Sequence, residues 1–317
     1  MKKYFIIPMV LALILVLSVS STAFAQDETT LPDPGTTPDS PFYFMEQLGK
    51  QFSLMFTFNA EAKVQKALRY ADEKLAEMDA MMTQNKIKSA TKASEGYQNC
   101  LKIAAKYMEQ ARLKGANVTE EVALMAEKHL GFLGNGAGNI PEDARMIRTQ
   151  TQERAMTCQE TALRTMAQGD PEQAVQLNLQ LMERKLNWIR VRAEGLELEG
   201  LQERLEECNR LGRLGEEISQ IARQLGVGDQ TTVDQLIGQA TAYHLQVLAQ
   251  IHQRVQEQAQ YEVQEAIQNC VQNHEQVVNR LQEQNQLGQV PEEPLIPEEI
   301  IEQVGQYGSS KGSGPKP

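Results

Sequence analysis

The sequence is short of the features that announce β-structure or catalysis. Aromatic residues make up 5% of the chain, and no stretch alternates β-branched with polar residues. Ala, Leu, Gln and Glu fill the periodic regions, which favours helices over a sheet. No Cys-x-x-Cys, His-x-x-x-His or Glu-x-x-His occurs, so the usual metal-ligand spacings are missing. The net charge of -11, with acidic residues interleaved among Lys and Arg, argues against nucleic-acid binding. Beyond residue 17 no apolar run approaches the ~20 residues of a membrane span.

What is present begins with a secretory pattern. Lys2-Lys3 precede an apolar stretch from Tyr4 to Leu17, and Ala23-Phe24-Ala25 offers the small-x-small cleavage site. The expectation is a signal peptide at 1–25, cut after Ala25, and a secreted or extracytoplasmic location with no membrane span left. Retention as an anchor is the alternative. Residues 26–40 form a Pro/Thr-rich linker. Ser40 and Pro41 then suit the cap and first turn of a helix at about 41–56.

The rest of the chain turns on Gly169-Asp170-Pro171-Glu172, a helix stop followed at once by a helix start. This seam separates two stretches that share a register. A shift of 111 residues lays Val64 on Val175, Leu68 on Leu179, Ala71 on Met182, Leu75 on Leu186 and Met78 on Ile189. The same shift lays Ala111-Arg112 on Ala222-Arg223 and Gly115 on Gly226. After a four-residue slip, His129-Leu130 and Leu133 meet His244-Leu245 and Leu248. The apolar steps of three and four are those of one helix face. The expected fold is therefore all-α: a short aromatic-rich helix, then two tandem related helical-bundle units at 41–169 and 170–288. The helices are expected at about 59–83, 88–114, 119–133 and 141–168, then 171–194, 197–225, 231–254 and 257–286. Within each unit, short connections imply antiparallel hairpins. Residues 289–317, Pro-rich and then Gly/Ser-rich, read as a disordered tail with a short helix at 297–305. Asn117-Val118-Thr119 is a glycosylation sequon that a helix cap at Thr119 also explains.

Four cysteines, Cys100, Cys158, Cys208 and Cys270, are candidate disulfide residues in an exported chain. Three pairings are possible. If the chain reverses near Gln256, a rise of about 1.5 Å per residue brings Cys270 back to the level of Cys208. This favours Cys100 with Cys158 and Cys208 with Cys270, the alternative being four buried free thiols.

The stretch from residue 41 to 58 carries Phe42, Tyr43, Phe44, Phe52, Phe56 and Phe58. Phe42, Tyr43, Phe52 and Phe56 are the candidate partner surface. The competing reading is that the rings plug one end of the bundle. The segment PGTTPDSPFYFMEQLGKQFSLMFTFNAEAKVQKALRYADEKLAEM resembles the opening of a secreted helical family, domain of unknown function 5667. EKHLGFLGNGAGNIPEDARMIRTQTQERA resembles a later segment of that family, so that the likeness covers about residues 34–160. The second unit keeps YHLQVLAQIHQRVQEQAQ but has Gln256 where the proline stands. The first departs through the Gly-rich residues 133–139. The resemblance implies an exported, mostly α-helical prokaryotic domain and brings no activity, cofactor or catalytic residue.

No residue is nominated as catalytic, cofactor-binding or metal-ligating. His129, His244 and Trp188 fit helix packing, and Met78, Met81, Met82, Met108 and Met125 fit adaptable core filler. The function expected is a non-catalytic interaction or structural protein of the extracytoplasmic space, with an unknown protein or envelope partner. A Met/His metal-binding protein, a helical chaperone and, less favoured, an envelope enzyme are the alternatives.

Overall fold

The structure is a computed structural model and describes residues 31–134, 141–293, 296–297 and 300. The signal peptide, most of the Gly-rich connection, most of the helix expected at 297–305 and the extreme C-terminus lie outside the described residues. Among the described residues every regular element is helical. The helices are α1 (Tyr43–Met55), α2 (Ala60–Thr83), α3 (Ile87–Arg112), α4 (Thr119–Gly134) and α5 (Glu142–Ala167). Then come α6 (Pro171–Arg192), α7 (Leu198–Leu225), α8 (Gln230–Arg254) and α9 (Glu257–Glu283).

Local chemistry sets these boundaries. Asn59 and Asp170 cap α2 and α6, each side chain accepting from the backbone N–H three residues on, at 3.1 and 2.9 Å. Gly226 closes α7 in the left-handed conformation at φ 63°, which costs a glycine little. The reversal at Gln256 is real, with extended backbone at ψ 150° between α8 and α9. The opening helix starts later than expected. Ser40 Oγ accepts from Phe42 N–H at 3.3 Å within a turn, and helix begins at Tyr43. Residues 31–40 are not a free tether either, because Leu31 packs on the core and Asp39 pairs with Lys86 at 2.6 Å.

Four antiparallel hairpins, α2/α3, α4/α5, α6/α7 and α8/α9, stack in sequence around one continuous core. Helix α5 touches α3 on one side and α7 on the other, and α7 touches α9. The two tandem units are thus successive pairs of layers in one stack. Buried positions recur at the sequence offsets. Lys74 and Lys185, Tyr97 and Cys208, Ala104 and Gly215 are buried pairs at 111. His129 and His244, Ala155 and Cys270, Met166 and Leu281 are buried pairs at 115.

At the junction a lysine is enclosed. Lys185 Nζ on α6 lies 2.7 Å from Glu207 of α7 and 2.9 Å from Glu127 of α4. Burial opposes its charge, but the two carboxylates overcome that and raise its pKa. Arg164–Glu217 and Arg210–Glu160, both at 2.7 Å, flank the junction nearer solvent.

Candidate functional site

Helix α1 is turned inside out. A surface helix ordinarily lays its apolar stripe on the core. Here the polar stripe faces inward, and its contacts hold the helix in place. Tyr43 Oη donates to Glu77 Oε2 at 3.1 Å and accepts from Lys74 Nζ at 2.9 Å, while Lys74 also pairs with Glu77 at 2.6 Å. Lys50 bridges Glu46 and Glu73, each at 2.6 Å. Lys66 Nζ donates to Ser53 Oγ at 3.0 Å and to Thr57 Oγ1 at 2.8 Å. The Lys74 and Lys92 ammonium groups lie 4.6 and 4.7 Å from the Tyr43 ring centroid. Burial and the Glu77 carboxylate push the Tyr43 phenol well above its ordinary value, so it remains a hydroxyl donor. Burial is also the main influence on the ion pair, lowering the Lys74 pKa and raising that of Glu77.

The opposite stripe is open to solvent. Phe42, Phe44, Phe52 and Phe56 are 53–73% exposed and Phe58 88%, beside the exposed Met45 and Met55. Phe52 and Phe56 stack with ring centroids 6.4 Å apart. An aromatic side chain carries about 150–250 Å², so five phenylalanines at these exposures present roughly 500–900 Å². That reaches or exceeds the largest apolar patch of an ordinary monomer, about 300–600 Å², which is itself often functional.

Three of the four surface residues expected from sequence, Phe42, Phe52 and Phe56, therefore lie on an open face. Tyr43 does not: it is 4% exposed and anchors the helix from beneath. The plug reading fails for the phenylalanines, because the inward positions of α1 and of the turn after it are taken by Tyr43, Lys50, Ser53 and Thr57. Phe44, Met45, Met55 and Phe58 complete the surface. Their helical spacing was visible, but the direction of the stripe depends on the polar partners that α2 supplies.

The expected pairings Cys100–Cys158 and Cys208–Cys270 are not formed; all four thiols are free and buried. Helix rise fixes height and not rotation. In the shared register Cys100 matches Leu211 and Cys158 matches Asn273, whereas Cys208 matches Tyr97 and Cys270 matches Ala155. Each cysteine of one pair thus sits about one turn along from the position its counterpart holds in the other, on the same side of the corresponding helix. Cys270 Sγ donates to Thr241 O at 3.6 Å, and burial pushes Cys100, Cys158 and Cys270 each up to about 12.

The equivalent histidines differ in their partners. His129 Nε2 lies 2.5 Å from Asp72 Oδ1, and its Nδ1 lies 3.0 Å from Tyr97 Oη. Burial works against the Asp72 charge, but the hydrogen bond from His129 and the nearby Lys128 keep its pKa low. Burial holds His129 below its ordinary value, so the ring is neutral. His244 is buried with its Nδ1 unpartnered, and burial pulls it down to about 4. Among the described residues no group of three or more His, Cys, Asp or Glu is arranged to hold a metal ion. The methionines considered as soft ligands are core residues.

Residues 35–154 match the model of a family described as Domain of unknown function (DUF5667). None of the curated proteins compared matches the chain. Among solved structures the chain is similar to a circular tandem repeat protein with novel repeat topology and enhanced subunit contact surfaces, at 14% identity and TM-score 0.48. That likeness covers 86% of this chain and 65% of the other, so the chain spans less than two thirds of it. The de novo designed helical repeat protein DHR64 is similar at 20% identity and TM-score 0.42, over 71% of this chain and 98% of its own. The DHF119 filament is similar at 19% identity and TM-score 0.38, over 68% of this chain and 98% of its own.

Proposed function

We propose that this chain, whose residues 35–154 belong to the DUF5667 family, is an exported, non-catalytic helical-repeat protein that docks through α1 on a lipid surface carrying anionic headgroups. The observation that carries the reading is the inverted amphipathicity of α1. Its polar face is spent on the protein, and its phenylalanines and methionines point away from it. A helix lying in a membrane interface needs such an open apolar face, flanked by cationic side chains.

The charge distribution supports a surface of negative sign. Residues 31–118, which hold α1 and the hairpin it rests on, carry twelve Lys and Arg against ten Asp and Glu. Residues 119–317 carry 17 against 30. The basic end therefore coincides with the aromatic face, and the acidic end points elsewhere along the stack. Near an anionic surface each added cation contributes about 1 kcal/mol, and the contribution falls with salt. Among the described residues no helix is long and apolar enough to cross a membrane, so docking of this kind is peripheral.

The test is co-sedimentation of the chain from Gln26 onward with anionic and with neutral phospholipid vesicles. Binding to anionic vesicles, weakened by salt and by Phe52→Ser/Phe56→Ser, supports the reading. Absence of binding at low salt, or equal binding by the double variant, overturns it. A concentration-dependent dimer that the same substitutions dissolve would assign the face to a second copy of the chain instead.

A further inference from the structure

The second helix of each hairpin lies against the second helix of the next, so α3, α5, α7 and α9 form a row with three seams. Two of the seams are bridged by opposite charges. Between α5 and α7, Arg210 reaches Glu153 and Glu160 at 2.6 and 2.7 Å, and Arg164 reaches Glu217 at 2.7 Å. Between α7 and α9, Arg280 holds Glu216 at 2.9 Å, and Gln202 donates to Glu262 at 2.8 Å. The first seam differs. Among the described residues no ion pair joins α3 to α5, which share a hydrogen bond between Ser94 and Thr151 at 2.8 Å. Ala105 and Thr165 stand 111 and 115 positions before Glu216 and Arg280, so an alanine and a threonine hold the places of that bridge.

An open groove of about 570 Å³ follows this unbridged seam. Leu101, Ala105 and Cys158 give it an apolar floor, and Leu101 and Cys158 are buried. On the α5 wall, Thr157 and Thr161 donate their hydroxyls to the carbonyls of Glu153 and Thr157, at 2.8 and 2.7 Å. Lys102 lines the groove from α3 and Arg154 from α5, and among the described residues neither has a carboxylate within 4.0 Å. Glu153, the acid of the lining, is already engaged by Arg210. Two like charges thus stand along a seam where the neighbouring seams hold ion pairs, and they repel unless an anion lies between them.

We propose that the α3/α5 groove binds a linear aliphatic chain with an anionic head, the chain lying along Leu101, Ala105 and Cys158 and the head held between Lys102 and Arg154. Shape agrees. At about 1.5 Å per residue the lining runs about 10 Å along α3, from Gln98 to Ala105, and about 18 Å along α5, from Thr149 to Thr161. A trough of that length suits an extended chain better than a single ring. Size agrees, since ligand sites occupy about 300–1,000 Å³. The chemistry agrees, since the apolar floor gains from being covered, while a carboxylate or phosphate takes charge-assisted hydrogen bonds from ammonium and guanidinium groups. The groove involves no residue of α1, so this site is separate from the docking face and does not depend on it.

The test titrates the chain from Gln26 onward with decanoate and decyl phosphate by calorimetry, below their micellar concentrations. Decyltrimethylammonium and inorganic phosphate are the controls. Saturable binding of either decyl anion, with both controls weaker by roughly tenfold or more, is the expected result. Lys102→Gln/Arg154→Gln removes both charges, and Ala105→Trp fills the trough from α3. Lys102 is exposed and the other two are half-buried, so these variants should fold, and each should weaken binding roughly tenfold or more. Phe52→Ser/Phe56→Ser should bind the decyl anions as the parent does. No saturable binding of either anion overturns the proposal. So does either control binding as tightly as the decyl anions, or binding unchanged in a folded groove variant. Binding lost in the folded phenylalanine variant overturns it too, because the chain would then lie on α1.

Discussion

Replacing Lys185 with Met should loosen the junction between the two units more than any surface substitution. The Lys185 side chain is 3% exposed and Glu207 4%, with Glu127 at 15%. Removing the ammonium leaves Glu207 with Arg204 at 3.4 Å and Glu127 with Gln159 at 2.9 Å, neither of which replaces the lost contacts. Breaking one partner from a buried pair costs about 3–5 kcal/mol, because a charge is stranded away from water. For a domain of this size that corresponds to a fall of about 6–20 °C in melting temperature. The pH dependence is a second signature. The folded-state pKa of Lys185 is raised, so its contribution is fully present below the unfolded value of about 10.4 and is lost as pH rises through the folded value. The deficit of the variant is then level between pH 7 and about 10 and fades above that. The measurement is urea unfolding followed by far-ultraviolet circular dichroism at pH 5, 7 and 9. A loss below about 1 kcal/mol at pH 7 would refute the reasoning, since a surface pair is worth no more. So would a deficit that differs between pH 7 and pH 9, where the Lys185 contribution is level. Lys185→Met/Glu207→Leu should recover part of the loss, because an apolar replacement of the whole pair strands less charge.

Three further outcomes follow from the interior. Tyr43→Phe removes one donor and one acceptor from the Lys74–Glu77 pair and should cost about 1–3 kcal/mol; limited proteolysis should then cut first within α1, and an unchanged cleavage pattern counts against the anchoring role. All four thiols should resist a colorimetric disulfide reagent in the native protein and all four should react in denaturant without reductant; fewer than four would mean bridged cysteines in the protein. His244, whose folded pKa of about 4 lies below the unfolded 6.5, contributes stability that is present above about 6.5 and lost as pH falls toward 4. That window is worth roughly 3 kcal/mol, so His244→Leu should flatten the acid limb of the stability curve, and an identical acid limb would refute the assignment.

The helices were legible because their ends are written in short local signals. Asn59, Asp170-Pro171 and Gly226 fix boundaries through bonds that span three or four residues. The buried stripes were legible for a related reason: a helix face turned to the core repeats its spacing whatever the side chains are. Rotation about a helix axis and long-range polar partners are another matter. Nothing near Cys270 in sequence says that its thiol turns to Thr241 and not to Cys208. Nothing near Phe52 says that Lys66 will hold Ser53, thirteen residues before it, and so turn the aromatic stripe outward. The surface was thus visible as a list of residues and hidden as a direction.

Overlaying the two units explains why α1 is built the way it is. In the second unit, buried Lys185 is satisfied partly from the preceding layer, by Glu127 of α4. In the first unit, its counterpart Lys74 has no earlier helical hairpin beside it among the described residues, and Tyr43 of α1 supplies the contact instead. Helix α1 therefore stands where an earlier repeat would stand and acts as the cap of that end of the stack. A terminal cap in a helical-repeat protein normally carries a polar outer face, which keeps the stack soluble. At the other end the segment after α9 folds back, with Val290 against Gly238 and Pro291 O accepting from His274 Nε2 at 2.8 Å, and buries its apolar residues. The two ends thus answer the same problem oppositely: one covers its apolar surface, and the other binds its cap through polar groups and turns five phenylalanines outward. If the outward face were a mere by-product of capping, polar residues at Phe44, Phe52 and Phe56 would serve as well and would raise solubility. Substituting all three with Ser should leave the Tyr43–Lys74–Glu77 contacts and the melting temperature nearly unchanged while removing attachment to anionic vesicles. A large loss of stability in that variant would mean that the rings hold the cap on, and the docking role of α1 would fall with it.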